Sequence, residues 1–486
     1  MTARAPVAGA CEDHAVVTGL GIASPSGLGT RRHWAGTLAG HVAIGPITRF
    51  DASGYPVRLA GEVPGFDPRE HLPGRLLPQT DHLTRLALAA ADWAMEDSGL
   101  SPSPEESLRY GVITANSAGG FEFGENELRK LWSIGPEKVS AYQSFAWFYA
   151  VNTGQISIRH GLRGPSGVLV SGQAGGLDAI GQARRALRRG ADGVLTGGFE
   201  APVCSWGVTA QLALPHLSTG DDPATAYLPF AAGAAGYVIG EGGAVLVLER
   251  EDRARARGAR RRYGRVAGYA ATLDPPPGSG RPSTLRTAAA LALADAGVEP
   301  DGIDVVFADA AGTPALDRVE AEAIAGLFGD RGVPVTAPKA MTGRLSAGGA
   351  AVDVATCLLA MRDGIVPPTA GVRPDPAYRI DLVTGRPRPA RIDRALILAR
   401  GEGGFNSALV LTRPCPVHGA AHPSPAPRPA RALRSAETAR PAEVTRPDAA
   451  TRPVGPPGAA TAPHPSTTPR PSTLPRIARN RPKEAR

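Results

Sequence analysis

An α/β fold of two similar halves, with helices inside and outside mixed sheets, is predicted by three features of the 486 residues. Apolar runs of strand length alternate with amphipathic runs of helix length, as strand-and-helix layering requires. The alternation that opens at His14 to Ser24 starts again at Arg265 to Thr272. In each half a glycine-rich, small-residue turn leads into a helix, at Ser171 to Gly176 and at Gly343 to Ala351.

In chain order, HAVVTGLGIAS (His14 to Ser24) reads as a strand running into a glycine turn. Gly19 and Gly21 begin a dinucleotide-loop pattern, but Ser24 stands where its third glycine belongs, so a structural turn is expected. Thr80 to Ser98 is an alanine-rich amphipathic helix with Gly99 at its stop. Tyr110 to Thr114 is a strand, followed by irregular residues Asn116 to Gly120. FEFGENELRKLW (Phe121 to Trp132) mixes aromatics with charges. Ser144 to Gln155 places Phe145, Trp147, Phe148 and Tyr149 within five positions, in a chain only 5% aromatic. Such density fits core packing or an extensive subunit interface.

Gly167 to Val170 reads as a buried strand, with a helix from Leu177. Leu177, Ile180 and Leu187 fall near one helical face, and Arg184, Arg185, Arg188 and Arg189 crowd its C-terminal end, where the dipole favours cations. Gly193 to Gly198 and Ala244 to Leu248 are further strands. The charge run 249–262 is expected to be a solvated helix and linker. In the second half, strands are expected at Arg265 to Thr272, Val305 to Ala308, Ala395 to Ala399 and Ala408 to Leu411, and Val335 to Lys339 leads into the turn. Helices are expected at Thr284 to Ala296, Asp317 to Leu327 and Val352 to Met361.

Bulk properties narrow the function. The net charge of +8 lies wholly in the 73 residues from Pro414, which hold 12 basic and 4 acidic side chains. The rest is balanced, so nucleic-acid binding is not indicated. That tail also carries 17 of the 47 prolines and is expected to be disordered. Cys11, Cys204, Cys357 and Cys415 have neither disulfide-framework nor zinc-site spacing. Cys204 and Cys357 read as core thiols. Neither an apolar leader nor an apolar run of about 18 residues is present, so a cytoplasmic chain without membrane contact is expected. Domain boundaries fall at 1–13 (flexible lead-in), 14–250, 251–413 and 414–486.

The stretch VSGQAGGLDA holds Gln173 at a strand-turn-helix junction, where a helix N-terminus stabilises an anion. It resembles the active-site junction of the β-ketoacyl synthases, whose pattern has cysteine where Gln173 stands. With glutamine there it is similar to the chain-length-factor subunit of a type II polyketide synthase. The resemblance runs from about Ala15 to Arg413. It implies the thiolase fold, a duplicated five-layered αβαβα architecture with mixed sheets.

It also implies what is missing. A condensing member uses a cysteine thiolate and two histidines. The first histidine of the family pattern falls on Asp309 in DAAGTPALD, and the second on Arg344 in KAMTGRLSAGG. No histidine lies between His216 and His418. Lys339 is retained and would brace a vestigial site with Asp309 and Arg344, while Asp317 and Glu320 would form a structural network. Such a subunit would pair with a catalytic ketosynthase and shape the tunnel in which a poly-β-keto chain grows from malonyl units on an acyl carrier protein. It needs no metal and no cofactor of its own, the phosphopantetheine being the carrier's. The alternatives are a malonyl-carrier decarboxylase, with Gln173 steadying the enolate, and an independent ketosynthase.

Phe121, Gly124 and Leu128 match positions that close the far end of the tunnel in this family. Spaced three and four apart, they would share a helical face. Glycine and leucine at the last two imply a shallow wall and a product of about ten acetate units or more.

Overall fold

A computed structural model describes residues 14–414. The lead-in 1–13 and the tail from Cys415 onward, with Cys11 and Cys415 themselves, lie outside the described residues.

Each half builds a sheet with the same strand order, to which the second adds one strand at its edge. The first contains β1 (Ala15–Ser24), β2 (Tyr110–Ala115), β3 (Ser166–Leu169), β4 (Gly193–Glu200) and β5 (Gly242–Arg250), ordered β1-β5-β4-β2-β3. The second contains β6 (Gly264–Leu273), β7 (Val305–Phe307), β8 (Pro334–Thr336), β9 (Asp381–Leu382), β10 (Arg394–Gly401) and β11 (Phe405–Thr412). Its order is β6-β11-β10-β7-β8-β9. In both, the first strand pairs antiparallel with the last, and the second and third strands run parallel. The sheets meet where Ala15 to Val17 pair with Gly264 to Val266.

The helices that matter here are α1 (His82–Ser98), α2 (Phe121–Ser133), α3 (Val151–His160), α4 (Gly175–Arg188), α5 (Ser205–Leu212), α6 (Leu285–Ala296), α7 (Pro314–Phe328) and α8 (Ala347–Asp363). α4 and α8 lie between the sheets and touch both. α1 packs on β1, β5 and α3, while α6 packs on β6, β11 and α7. This is the five-layered thiolase fold. As the central layer, α8 is buried all round from Ala347 to Met361, which is why it is apolar on every face. Burying each of its leucines contributes about 1.5–3 kcal/mol.

Several expectations change. Gly19 and Gly21 lie within β1, not in a turn. A Cβ at Gly21 would stand 1.8 Å from the Ala90 carbonyl oxygen, so the glycines let the strand touch the alanine face of α1. β3 is the outermost strand of its sheet and is half-buried or exposed, where its apolar run predicts burial. Residues 249–262 are only partly solvated. Glu249 and Glu251 are fully buried, the first paired with Arg257 and the second with Arg255, Arg262 and Arg265. α8 begins at Ala347, inside the stretch expected to be a turn, because its small residues pack against α4.

Candidate functional site

Gln173, Asp309, Lys339 and Arg344 converge on the junction between the halves. Gln173 sits half-buried in a single 3-10 turn, Gly172–Ala174, at the head of α4. Asp309 follows β7, and Lys339 and Arg344 lie between β8 and α8. All four line one cavity of about 10 Å³, room for a single water at most.

Charge fills the places where the resemblance expects imidazoles. Arg344 Nη2 donates to Asp309 Oδ1 at 2.9 Å and Nη1 to Oδ2 at 3.1 Å. The same nitrogens donate to the carbonyl oxygens of Arg400 and Asp309 at 3.2 and 3.0 Å. Only Nε is left without a partner. The guanidinium also lies over the Tyr237 ring, 5.4 Å from its centroid. Lys339 Nζ donates to the Ala308 carbonyl at 2.6 Å and pairs with Asp353 at 2.6 Å. Burial works to raise the Asp309 carboxyl, but the charges of Arg344 and Lys339 hold it below the usual range. Burial likewise opposes the Arg344 charge, and Asp309 outweighs it, so arginine here stays protonated.

Asp317 and Glu320 hold backbone. Asp317 accepts from the N–H groups of Phe230 (2.8 Å) and Gly312 (2.9 Å), and Glu320 from those of Asp309 (2.7 Å) and Ala310 (2.8 Å). Burial pushes Asp317 up to about 6, and burial with the nearby Asp309 charge pushes Glu320 up to about 7. The backbone around the site is tense. Phe230, Ala310 and Ser346 have φ of 61°, 53° and 47°, a region that costs a side-chain-bearing residue about 1–3 kcal/mol. Among the described residues the thiols offer no substitute nucleophile. Both are buried, Cys204 raised to about 12 and Cys357 well above its usual value by burial. The cluster can therefore hold backbone and charge in place, but forms no thioester.

A second cluster lies on α2. Phe121 is half-buried, Gly124 is buried and Leu128 is 38% exposed, so within this chain Leu128 closes no cavity. The residue that sequence reasoning missed is Trp206, the second residue of α5. Its ring stacks on Phe121 (centroids 4.9 Å, planes 13° apart), and its Cζ3 lies 2.9 Å from where a Cβ at Gly124 would stand. The room left by glycine is thus occupied by indole, and the depth expected from Gly124 is not open space. Nothing local to Trp206 signals this, since its partners lie some 80 residues away.

Beyond α2 the aromatics are at the surface. Trp132 is 83% exposed and Trp147 45%, with Phe148 and Tyr149 also exposed and Phe145 half-buried. Core packing does not account for these rings, which form edge and tilted contacts with one another. β3, with Val170 exposed after it, ends the sheet nearby.

The β-ketoacyl synthase N-terminal domain model matches residues 12–254 and the C-terminal domain model residues 263–373. The chain is 60% identical to the tetracenomycin polyketide synthase ketoacyl synthase beta subunit of Streptomyces glaucescens, over 85% of this chain and 100% of that one. Among solved structures it resembles the ishigamide ketosynthase/chain length factor (31% identity, 82% of this chain and 99% of that one, TM-score 0.73). It also resembles a type II polyketide synthase acyl-carrier protein in complex with its ketosynthase bound to the hexaketide (28% identity, the same coverage, TM-score 0.73). With both domains matched and a beta subunit 60% identical along its whole length, the chain belongs to the β-ketoacyl synthase family, among the ketoacyl synthase beta subunits of type II polyketide synthases.

Proposed function

We propose that this chain is the chain-length-factor subunit of a type II polyketide synthase. It pairs with a catalytic ketosynthase and forms part of the wall of the tunnel in which a poly-β-keto chain grows from malonyl units carried by an acyl carrier protein. The observation that carries this reading is the filled site. Gln173, Asp309 and Arg344 stand at the three condensing positions, and the space among them holds one water at most. A subunit so built contributes shape rather than nucleophile.

The partner's seat is the face around Trp147, Phe148 and Tyr149 with the outer edge of β3. Exposed aromatics beside an edge strand are costly in a lone chain and suit an apolar interface centre. The wall is Phe121, Gly124 and Leu128 on α2, with Trp206 laid across it. The residues of α2 that face outward would be covered by the ketosynthase, which is why Leu128 is exposed here.

Decarboxylation at Gln173 is disfavoured, because Arg344 has both terminal nitrogens engaged and the cavity it shares with the amide is only about 10 Å³. The test is co-expression with a ketosynthase and a carrier protein, with products sized by mass spectrometry. Polyketide should form only when both large subunits are present, and Gln173→Ala should leave the yield intact. Product from the ketosynthase alone, of the same length, would refute the subunit reading. Loss of acetyl-primed product in Gln173→Ala would restore the decarboxylase.

A further inference from the structure

One carboxylate ties the wall helix to the helix that bears Trp206. Glu125, next to Gly124 on α2, accepts a hydrogen bond from the Ser205 hydroxyl and another from the Trp206 backbone N–H at 3.0 Å. It also accepts from the Cys204 thiol and from Arg129, which donates at 2.6 Å from one turn further along and is largely exposed. Ser205 and Trp206 are the first two residues of α5, and the capping position before them is Cys204, whose Sγ accepts from the Gly207 N–H at 3.4 Å. Sulfur is a weak acceptor. The carboxylate that α5 needs at its N-terminus is therefore supplied from α2. Burial would raise Glu125, and the bonds from Ser205, Trp206, Arg129 and Cys204 keep it below its usual value.

The same two bonds decide where the Trp206 ring lies. With its backbone N–H anchored on residue 125, the indole is laid on Phe121 and across Gly124, its neighbours on α2. We infer that Glu125 is a positioning residue for chain-length selection: by clamping the first turn of α5 to α2, it fixes how closely Trp206 covers the wall. This rests on the wall reading above. Glu125 need not touch the growing chain. Its effect is carried by the indole.

The test uses the full chain co-expressed with its ketosynthase and carrier, read as the ratio of principal to off-length polyketide. Glu125→Ala should lower that ratio about tenfold or more, as loss of a hydrogen bond to a charged group does. Glu125→Gln, which keeps one acceptor oxygen, should recover part of it. Ser205→Ala, the milder variant, should shift the ratio in the same direction even if Glu125→Ala fails to assemble. Arg129→Ala, which breaks only an exposed pair, should leave it unchanged. Gly124→Thr serves as the reference for the wall. A wild-type ratio in Glu125→Ala and Ser205→Ala while Gly124→Thr shifts it would overturn the clamp and leave the wall standing. If Gly124→Thr is also silent, the wall reading falls and the clamp falls with it.

Discussion

Trp206 lies across Gly124 so closely that a single added methyl at 124 would meet the indole ring at 2.9 Å. Threonine there must push the ring outward or part the helices, and overpacking of this kind costs about 1–3 kcal/mol. Gly124→Thr with Leu128→Phe is expected to thicken the wall and shorten the product by one or more units, seen by mass spectrometry of the polyketide. Unchanged length at comparable yield would show that other residues end the tunnel.

The buried pair makes a second prediction. Removing one partner of a buried ion pair leaves the other uncompensated, at a cost of about 3–5 kcal/mol. Arg344→Ala and Asp309→Ala should each destabilise the chain by that order in urea unfolding. The double variant should lose clearly less than the sum, since the charge that penalises each single variant is gone. Additive losses would mean that the two residues act separately.

Glu200 makes stability depend on pH. Burial lifts its carboxyl to about 8 against the pull of the Ser117 and Ala118 N–H groups. The folded chain then holds a proton that the unfolded chain releases near the usual 4.5, so stability is full below that value and falls as pH rises toward 8. The span sets an upper limit of about 5 kcal/mol. Glu200→Gln keeps an acceptor for the two N–H groups and does not titrate, so its unfolding free energy should fall less between pH 5 and 8. Parallel pH profiles would remove Glu200 as the cause.

Trp147 and Phe148 separate folding from assembly. Because both are exposed, Trp147→Glu with Phe148→Glu should change the chain's own unfolding by about 0.5 kcal/mol or less per site. Aromatic anchors at an interface are worth about 2 kcal/mol or more each, so the ketosynthase should no longer co-purify. Retention of the partner would place the interface elsewhere.

The layers were legible because periodicity is local. The strand at Ala15–Ser24, the helix ending at Gly99 and the buried helix through Cys357 each follow from residues within a dozen positions. Asp309 and Arg344 could be located by counting along the motifs, but their pairing joins residues 35 apart and leaves no mark in either stretch. Gly19 and Gly21 look like a turn because the alanine face of α1 that needs them is 70 residues away. Glu249 and Glu251 look solvated because a mixed-charge run does not show which of its arginines fold back to cover an acid. Trp206 carried no signal at all, since what matters is which glycine it covers.

The Asp309–Arg344 contact also limits how this sequence can change by single steps. Returning histidine at 344 alone would leave the Asp309 charge without its partner in a space that admits one water. Returning it at 309 alone would strand the guanidinium. Either intermediate gives up about 3–5 kcal/mol of a total that, for most proteins, is about 5–15. On the function proposed above, a cysteine at 173 would gain nothing without both imidazoles. A route to a condensing enzyme would therefore run through unstable neighbours, and the proposed division of labour between two subunits would be held by a ratchet in the protein's own interior.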